Sequence, residues 1–358
     1  MEQLSTHELP TPKKLSTKEL PAYVFSTARS ALFSAEYMVL NSLKAFLPGS
    51  EKYSEKMDKA TAAAARIAVQ DLLKRDARNI TDGLYPASVL TPESPVSHVR
   101  RIPKLMADGF SIYWRRSRGQ TTVFDPTARD LLSDTPRYYH RNFHFQTDGY
   151  LTRRSAELYE HQVEMLFGGT ADAMRRLIIA PLKEKFGQTD GKGLTFLEIG
   201  AGTGRATRFV RLAFPKAKIV AIDLSDPYLK IAERKLAQFP RIDFMQADGG
   251  KLPFLAGQFD AVYSVFLFHE LPLIARKAVL SESHRVLKPG GFSGMVDSLQ
   301  GGDNTDFDGL LERFPHNYHE PFYRNYLAHP MQGLFEQVGF TGVKTDRGFF
   351  SKACWGQS

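Results

Sequence analysis

Cysteine is almost missing from this chain: its 358 residues include one, Cys354. An intrachain disulfide is thereby excluded, and so is a thiolate cluster for zinc or iron–sulfur, which suits a reducing compartment. Long apolar runs are missing too. None approaches the roughly 18 residues that cross a bilayer, and the opening Met1-Glu2-Gln3-Leu4 has no apolar core of a signal peptide. A cytoplasmic protein is expected. Charge and apolar content are ordinary, at 24% and 42%, which excludes disorder over the whole length. The length exceeds what one compact core usually accommodates, so two domains, or one with a large extension, are expected. A net charge of +8 and a pI of about 9.3 favour anionic partners without choosing among them.

What is present changes character along the chain. Residues 1–20 are polar and proline-rich and are expected to be flexible. From Ala22 to Leu47 apolar residues fall at helical spacing (Phe25, Leu32, Phe33, Met38, Val39, Leu43, Phe46), and Pro48-Gly49 ends the run. Packing on its own domain is the first reading; a helix resting on a membrane or covering a site is the second. A further helix is expected over Met57–Lys74. Pro86, Pro92, Pro95 and Pro103 make Tyr85–Pro103 a loop. Arg100, Arg101, Lys104, Arg115, Arg116 and Arg118 surround Tyr113 and Trp114, as a solvated, snorkelling face or as a nucleic-acid patch; no recognised nucleic-acid motif accompanies them. Ala156, Tyr159, Val163 and Leu166 mark one face of a helix stopped by Gly168-Gly169. Another starts near Ala171, with Met174, Leu177 and Ile178 inward, and breaks at Pro181.

After Gly191 short apolar runs alternate with helical stretches. Strands are expected at Leu194–Ile199, Lys218–Ile222, Ile242–Met245, Phe259–Val265 and Gly291–Val296, with helices after Arg205, Pro227 and Leu273. That rhythm implies a parallel sheet covered on both faces. Where the first strand meets its helix stands Glu198-Ile199-Gly200-Ala201-Gly202-Thr203-Gly204-Arg205. Glycines there permit a tight turn and close approach of backbone to a ligand. Arg205 occupies the position of the third glycine of a dinucleotide fingerprint, which weakens an NAD reading. Asp223 ends the second strand, where a carboxylate can accept from ribose hydroxyls. Asp248 ends the third, where it can accept from an adenine amine. Either acid can instead be a helix cap or turn residue.

With these residues in register, Leu194 to about Ser298 resembles the class I S-adenosylmethionine methyltransferases. The resemblance rests on the first motif (Glu198–Gly204), the ribose acid Asp223, the adenine-side acid Asp248, the fourth-strand segment Gln258–Ser264, and Arg285-Val286-Leu287-Lys288-Pro289-Gly290-Gly291. It implies an α/β fold with a Rossmann-like, seven-stranded, mostly parallel sheet, helices on both faces, and a closing hairpin from Gly342–Phe349 and Lys352–Trp355. A mainly helical N-terminal extension precedes it. The division expected is a flexible segment 1–20, a mainly helical domain 21–135, a helical connector or lid 136–190, and the cofactor-binding domain 191–358.

The implied cofactor is S-adenosylmethionine, leaving as S-adenosylhomocysteine. Its implied contacts are Glu198, Gly200, Ala201, Gly202, Gly204, Asp223, Leu224, Asp248, Gly249, Val265 and Tyr159. Gly249-Gly250 departs from the family pattern, which more often places a side chain near the adenine. Residues after the fourth strand face the methyl group in this fold, here Val265-Phe266-Leu267-Phe268-His269-Glu270-Leu271-Pro272. They lack the Asn/Asp-Pro-Pro-aromatic signature of amino-directed DNA methyltransferases, and a cytosine-C5 enzyme would need a cysteine here. Nucleic acid is thus disfavoured as a partner. His269 is the preferred general base, with Glu270 orienting it or taking the proton itself; the alternative is that His269 caps or packs the next helix. His144, inside Asn142-Phe143-His144-Phe145-Gln146, is a second candidate from a lid. Phe143, Tyr150, Phe266 and Tyr323 are expected to line the substrate pocket. No metal is expected; His316-Asn317-Tyr318-His319-Glu320 reads as a polar loop.

The reading that follows is transfer of a methyl group to a small molecule of aromatic, quinone-like or lipid-like character. Two others stand beside it: modification of RNA or protein through the basic region, and a non-catalytic S-adenosylmethionine-binding module. Peripheral membrane contact stays open, and the sequence sets no oligomeric state.

Overall fold

The computed structural model describes residues 14–44, 57–92, 94–133 and 135–358. Most of the opening segment and the Phe46–Gly49 end of the first helical run lie outside the described residues.

Four helices come first: α1 (Leu20–Lys44), α2 (Lys59–Thr81), α3 (Pro95–Ser117) and the short α4 (Pro126–Asp130). The Asp58 carboxylate caps α2 by accepting from the Thr61 N–H at 2.9 Å. α2 then runs past the expected Lys74, because Leu72, Leu73 and Ala77 bury against the sheet domain. α3 overturns the expected loop. Pro95 stands in its first turn, where an absent N–H breaks no intrahelical bond. Pro103 lies inside the helix, which continues because Leu105, Gly109 and Tyr113 bury beyond it. Of the expected loop only the part before Pro95 stays outside α3, with a 3-10 turn at Ala87–Leu90.

The apolar run of α1 also faces the other way from the first reading. Phe33 is buried, but Phe25, Leu32, Met38, Val39 and Leu43 are 37–62% exposed. The inward side packs Tyr23, Phe33, Tyr37 and Leu40 and also carries Ser26, Arg29 and Glu36, each held by a partner from another element or by burial.

α5 (Arg153–Leu166) starts at Thr152, whose hydroxyl accepts from the Ser155 N–H, and stops at Gly168 and Gly169, both left-handed. α6 (Ala171–Arg175) and α7 (Ile179–Phe186) are separated by a 3-10 turn, so the break precedes Pro181.

The sheet follows. β1 (Thr195–Ile199), β2 (Lys218–Asp223), β3 (Ile242–Gln246), β4 (Phe259–Val265) and β5 (Leu287–Ser298) pair in parallel, and the hairpin β6 (Thr341–Gly348) and β7 (Ser351–Gln357) closes one edge. The order is β3-β2-β1-β4-β5-β7-β6, with β7 antiparallel to β5 and β6. α8 (Arg205–Ala213), α9 (Asp226–Leu236) and α10 (Leu273–Val286) make the crossovers. α11 (Asp308–Asn317), α12 (Tyr323–Ala328) and α13 (Met331–Val338) separate β5 from the hairpin.

One core, on one face of the sheet, gathers Phe196, Phe209, Phe214, Phe292 and the α2 leucines. The other gathers Leu197, Val262, Leu280, Met295 and Phe335. Continuous apolar strands of this kind form because both faces are covered. The N-terminal helices are pinned by a buried ion pair in which Arg176 donates from Nε and Nη2 to Asp76 at 2.8 and 2.7 Å. Because β1 to β5 run parallel, the loops after them lie at one end of the sheet, and the switch in strand order between β1 and β4 opens the crevice there in which ligands bind in folds of this topology.

Candidate active site

The turn after β1 needs glycine. Gly200, Gly202 and Gly204 all have left-handed φ (74°, 54° and 80°). A Cβ on Gly204 would stand 2.9 Å from Ala232 of α9, whereas one on Gly202 would meet nothing nearer than Tyr228 at 4.0 Å. The first closes helix packing; the second leaves open space at the cavity wall. The Asp223 carboxylate accepts from the Gly202 N–H and the Ser225 N–H, both at 2.8 Å. Each oxygen keeps a further lone pair for a ligand hydroxyl, and burial pushes this carboxyl up to about 6. Asp248 accepts from the Gly250 N–H at 2.8 Å. The Gly249 departure has a steric cause, since a Cβ there would lie 2.5 Å from Ile199 Cγ2.

Glu198 lies beneath the loop, 1% exposed, and takes a hydrogen bond from Tyr263 Oη at 2.9 Å. Burial raises its carboxyl to about 7. Glycines 200, 202 and 249, with Glu198, Ala201, Asp223, Leu224, Asp248, Val265 and Tyr159, line one cavity; Gly204, expected among them, packs on Ala232 and Leu236 of α9 instead. Aromatic rings from the segment before β1 close it: Phe143 stacks on Tyr150 at 5.4 Å, and Tyr150 meets Tyr159 and Tyr228 edge-on at 5.7 and 5.5 Å. Phe143 and Tyr150 therefore sit in the wall of this cavity. Tyr138, Tyr139 and Tyr228 join them, and composition alone did not single these out.

These residues fit S-adenosylmethionine. The Gly202 wall is open, Asp223 and Asp248 present carboxylates at two strand ends, and tyrosine faces suit a sulfonium cation. The two cationic side chains of the lining are already engaged: Arg205 with Asp172, and Arg175 with Glu164 and Asp172.

A second chamber of about 340 Å³ adjoins the first, sharing Tyr159, Phe266 and Glu270 with it. Its walls are apolar and aromatic (Tyr37, Val163, Phe167, Leu311, Phe314, Tyr323), and one side is polar, with His144, His269, Glu270 and Ser298. Tyr323 thus lines this chamber and Phe266 lines both.

His269 differs from the expected free base. Its Nδ1 lies 2.5 Å from Asp297 Oδ1, while Asp297 Oδ2 accepts from the N–H groups of Phe268 and Leu267 at 2.6 and 3.1 Å. Burial opposes charge on the ring, but Asp297, Glu320 and Glu270 outweigh it and lift His269 to about 10. At neutral pH it is a cation. Asp297 was missed because the expected fifth strand stopped one residue short of it, at Val296. An acid ending a strand beside β4 was the available signal.

Glu320 is the other correction. It does lie in the loop between α11 and α12, although His316 and Asn317 belong to α11, but it is 2% exposed, and burial pushes it up to about 7. His144 Nε2 approaches Glu320 Oε1 at 3.2 Å and Glu270 Oε1 at 3.5 Å, and Tyr150 Oη donates to Glu270 Oε1 at 2.5 Å. His144 reaches this place from a left-handed backbone, φ 54°. Burial works against its charge, yet Glu320 and Glu270 prevail and hold it above the usual histidine value. The structure so brings His144, His269 and Glu270 together from distant positions.

Among the described residues, two groups place metal-ligating atoms within 4.8 Å of one another: His144, Glu270 and Glu320, and Glu36, His98 and His161. In the second, Arg101 Nε donates to His161 Nδ1 at 3.4 Å. That puts the ring proton on Nε2, facing Glu36, and makes the group a hydrogen-bonded one.

Comparison with known proteins agrees with this geometry. A family model described as a methyltransferase domain matches residues 196–291. An uncharacterised methyltransferase of Synechocystis sp. is 32% identical over 152 residues, 42% of this chain and 69% of that one. A demethylmenaquinone methyltransferase of Tropheryma whipplei is 32% identical over 146 residues, 41% of this chain and 53% of that one. A ubiquinone/menaquinone biosynthesis C-methyltransferase of Pseudomonas putida is 34% identical over 140 residues, 38% and 52% of the two chains. The chain spans about half the length of these last two relatives. With the glycine turn and two strand-end carboxylates in register, and with a relative matched over 69% of its length, the chain belongs to the class I S-adenosylmethionine-dependent methyltransferases.

Proposed function

We propose that this enzyme methylates a small hydroxylated aromatic or quinol-type acceptor that carries an apolar substituent. The observation that carries the reading is the second chamber: about 340 Å³ of mostly apolar wall, joined to the cofactor cavity at Tyr159, Phe266 and Glu270, with His144, His269 and Glu270 clustered where the two meet. An apolar tail is held by Phe167, Leu311 and Phe314, and a hydroxyl is directed to the polar side. The two relatives named for quinone biosynthesis support the same class.

The bound cofactor supplies an electrophilic methyl group, lost as the acceptor bond forms and the S–CH₃ pair returns to sulfur. The chain's own task is alignment, exclusion of water and handling of one proton. Glu270, at the junction of the cavities, takes the acceptor's hydroxyl proton. His144 and Glu320 behind it spread that proton over a buried group whose Glu320 carboxyl already lies near 7. His269, kept cationic by Asp297, faces the chamber and stabilises the acceptor anion.

Methyl transfer from isotopically labelled S-adenosylmethionine to a panel containing a prenylated quinol, a fatty acid and bulk RNA tests the class. Label in the quinol supports it; label in RNA alone overturns it. Glu270→Gln is expected to lower kcat about 10²–10⁴-fold while the folded protein still takes up the cofactor. An unchanged kcat across neutral pH removes Glu270 from this role.

A further inference from the structure

We infer that the outer face of α1, with the adjoining face of α3, docks on an anionic lipid surface. This goes beyond methyl transfer and holds whichever acceptor is used.

Between Leu20 and Leu43, α1 has two charged side chains, Arg29 and Glu36. Both turn inward. Arg29 donates to Gly169 O at 2.6 Å and to Glu164 and Asp172 at 3.1 Å, and Glu36 meets His98 and His161 at 2.5 and 3.0 Å. The water-facing side is left mostly to Val24, Leu32, Met38, Val39 and Leu43, with Ala28, Ala31 and Ala35 between them; the exposed Thr27 and Ser42 turn their hydroxyls to the helix carbonyls of Tyr23 and Met38. At 3.6 residues per turn these apolar side chains fall within an arc of roughly 140°. A surface helix ordinarily turns its charges outward; α1 turns both of its charges inward beside the packed Tyr23, Phe33, Tyr37 and Leu40, and keeps an uncharged, largely apolar outer side as well. α3 extends the face with exposed Val96, Val99 and Ile102. The two helices border one groove of about 420 Å³, lined by Phe25 and Leu32 from α1 and Val99 from α3.

Charge selects the occupant. Neither helix has an exposed acidic side chain, since Asp108 of α3 is buried and Glu36 is paired. Arg100 is exposed on α3 and Arg118 just after it, Lys18 is exposed just before α1, and Lys104, exposed too, pairs with Glu157 at 3.5 Å. Two copies of this face would bring like charges together, whereas anionic headgroups would meet basic residues and acyl chains would meet the uncharged arc. Tyr37, on the opposite side of α1, lines the acceptor chamber. For an acceptor of the proposed class, docking would hold that chamber one helix diameter, about 10 Å, from the lipid.

The test is co-sedimentation of the full chain with vesicles of phosphatidylcholine alone or mixed equally with phosphatidylglycerol, with no acceptor added. Binding to the mixed vesicles that weakens with salt is expected. The triple change Val24→Glu, Met38→Glu and Val39→Glu should reduce it at least about 10-fold, with melting temperature and S-adenosylmethionine binding unchanged. Arg100→Glu should flatten the salt dependence. Absence of binding to the mixed vesicles at low salt overturns the inference, and leaves the methyl-transfer reading standing. A dimer in solution that the triple change dissolves, with vesicle binding unaltered, assigns the face to a second copy and overturns it as well.

Discussion

The two cavities that meet at Glu270 are built in opposite ways. The cofactor side is made largely from consecutive residues: a turn from Gly200 to Gly204 and single carboxylates at the ends of β2 and β3, with backbone N–H groups aiming the acids. The acceptor side has no such stretch. Its residues come from α1, the 3-10 turn at Phe143–Phe145, α5, the segment after β4, the end of β5, and α11 and α12. A site made of backbone turns is written in adjacent letters. A site made of side chains drawn from the whole chain exists only once the chain has folded.

That contrast breaks most visibly at Asp223. Asp223→Ala removes an acceptor aimed by two backbone N–H groups, and calorimetry should show S-adenosylmethionine affinity falling about 100-fold, near 3 kcal/mol. Retained affinity would mean the ribose is held elsewhere.

On the acceptor side the corresponding effect is on stability and depends on pH. His269 is raised from 6.5 to about 10 in the folded protein. The Asp297 pairing therefore contributes fully below pH 6.5 and is lost as pH rises through about 10. Urea unfolding should show the wild type losing up to about 5 kcal/mol across that window, and His269→Gln losing much less. Parallel curves for the two proteins would refute the cationic assignment.

Gly249→Ala tests the steric reading of the cofactor side. A methyl 2.5 Å from Ile199 Cγ2 forces the β1 end and the β3 loop apart, for an expected loss of roughly 1.5 kcal/mol in thermal unfolding. Tyr37→Phe is the mildest change. It deletes the 3.3 Å hydroxyl contact between Tyr37 and Tyr318, and should shift stability by under about 1 kcal/mol. Acceptor KM should rise a few-fold while kcat stays constant. A fall in kcat instead would bring α1 into the chemistry.

Legibility followed the same divide. Strands β1, β2 and β4 were readable to within a residue or two because a strand buried on both faces is a continuous apolar run; β3, a half-exposed edge strand, was readable from Ile242, Phe244 and Met245. The closing hairpin was legible through resemblance rather than periodicity. Pro103 misled because tertiary burial of Leu105 and Tyr113 outweighs one lost hydrogen bond. Val296 looked like a strand end because apolar character stops there, although the ladder to β7 continues through Asp297 and Ser298. Glu320 stood in a polar, histidine-bearing stretch, and nothing local signals that such a carboxylate is buried beside His144.

By itself the sequence determined the alternation of strand and helix, the glycine turn and the two strand-end acids, since each depends on steric and hydrogen-bond preferences within a few residues. Tertiary structure alone decided that His269 is cationic, that Glu320 joins His144 and Glu270, and that α1 shows its apolar side to solvent. Proton affinity depends on charges brought near through space, and the side of an amphipathic helix that is covered depends on what packs against it.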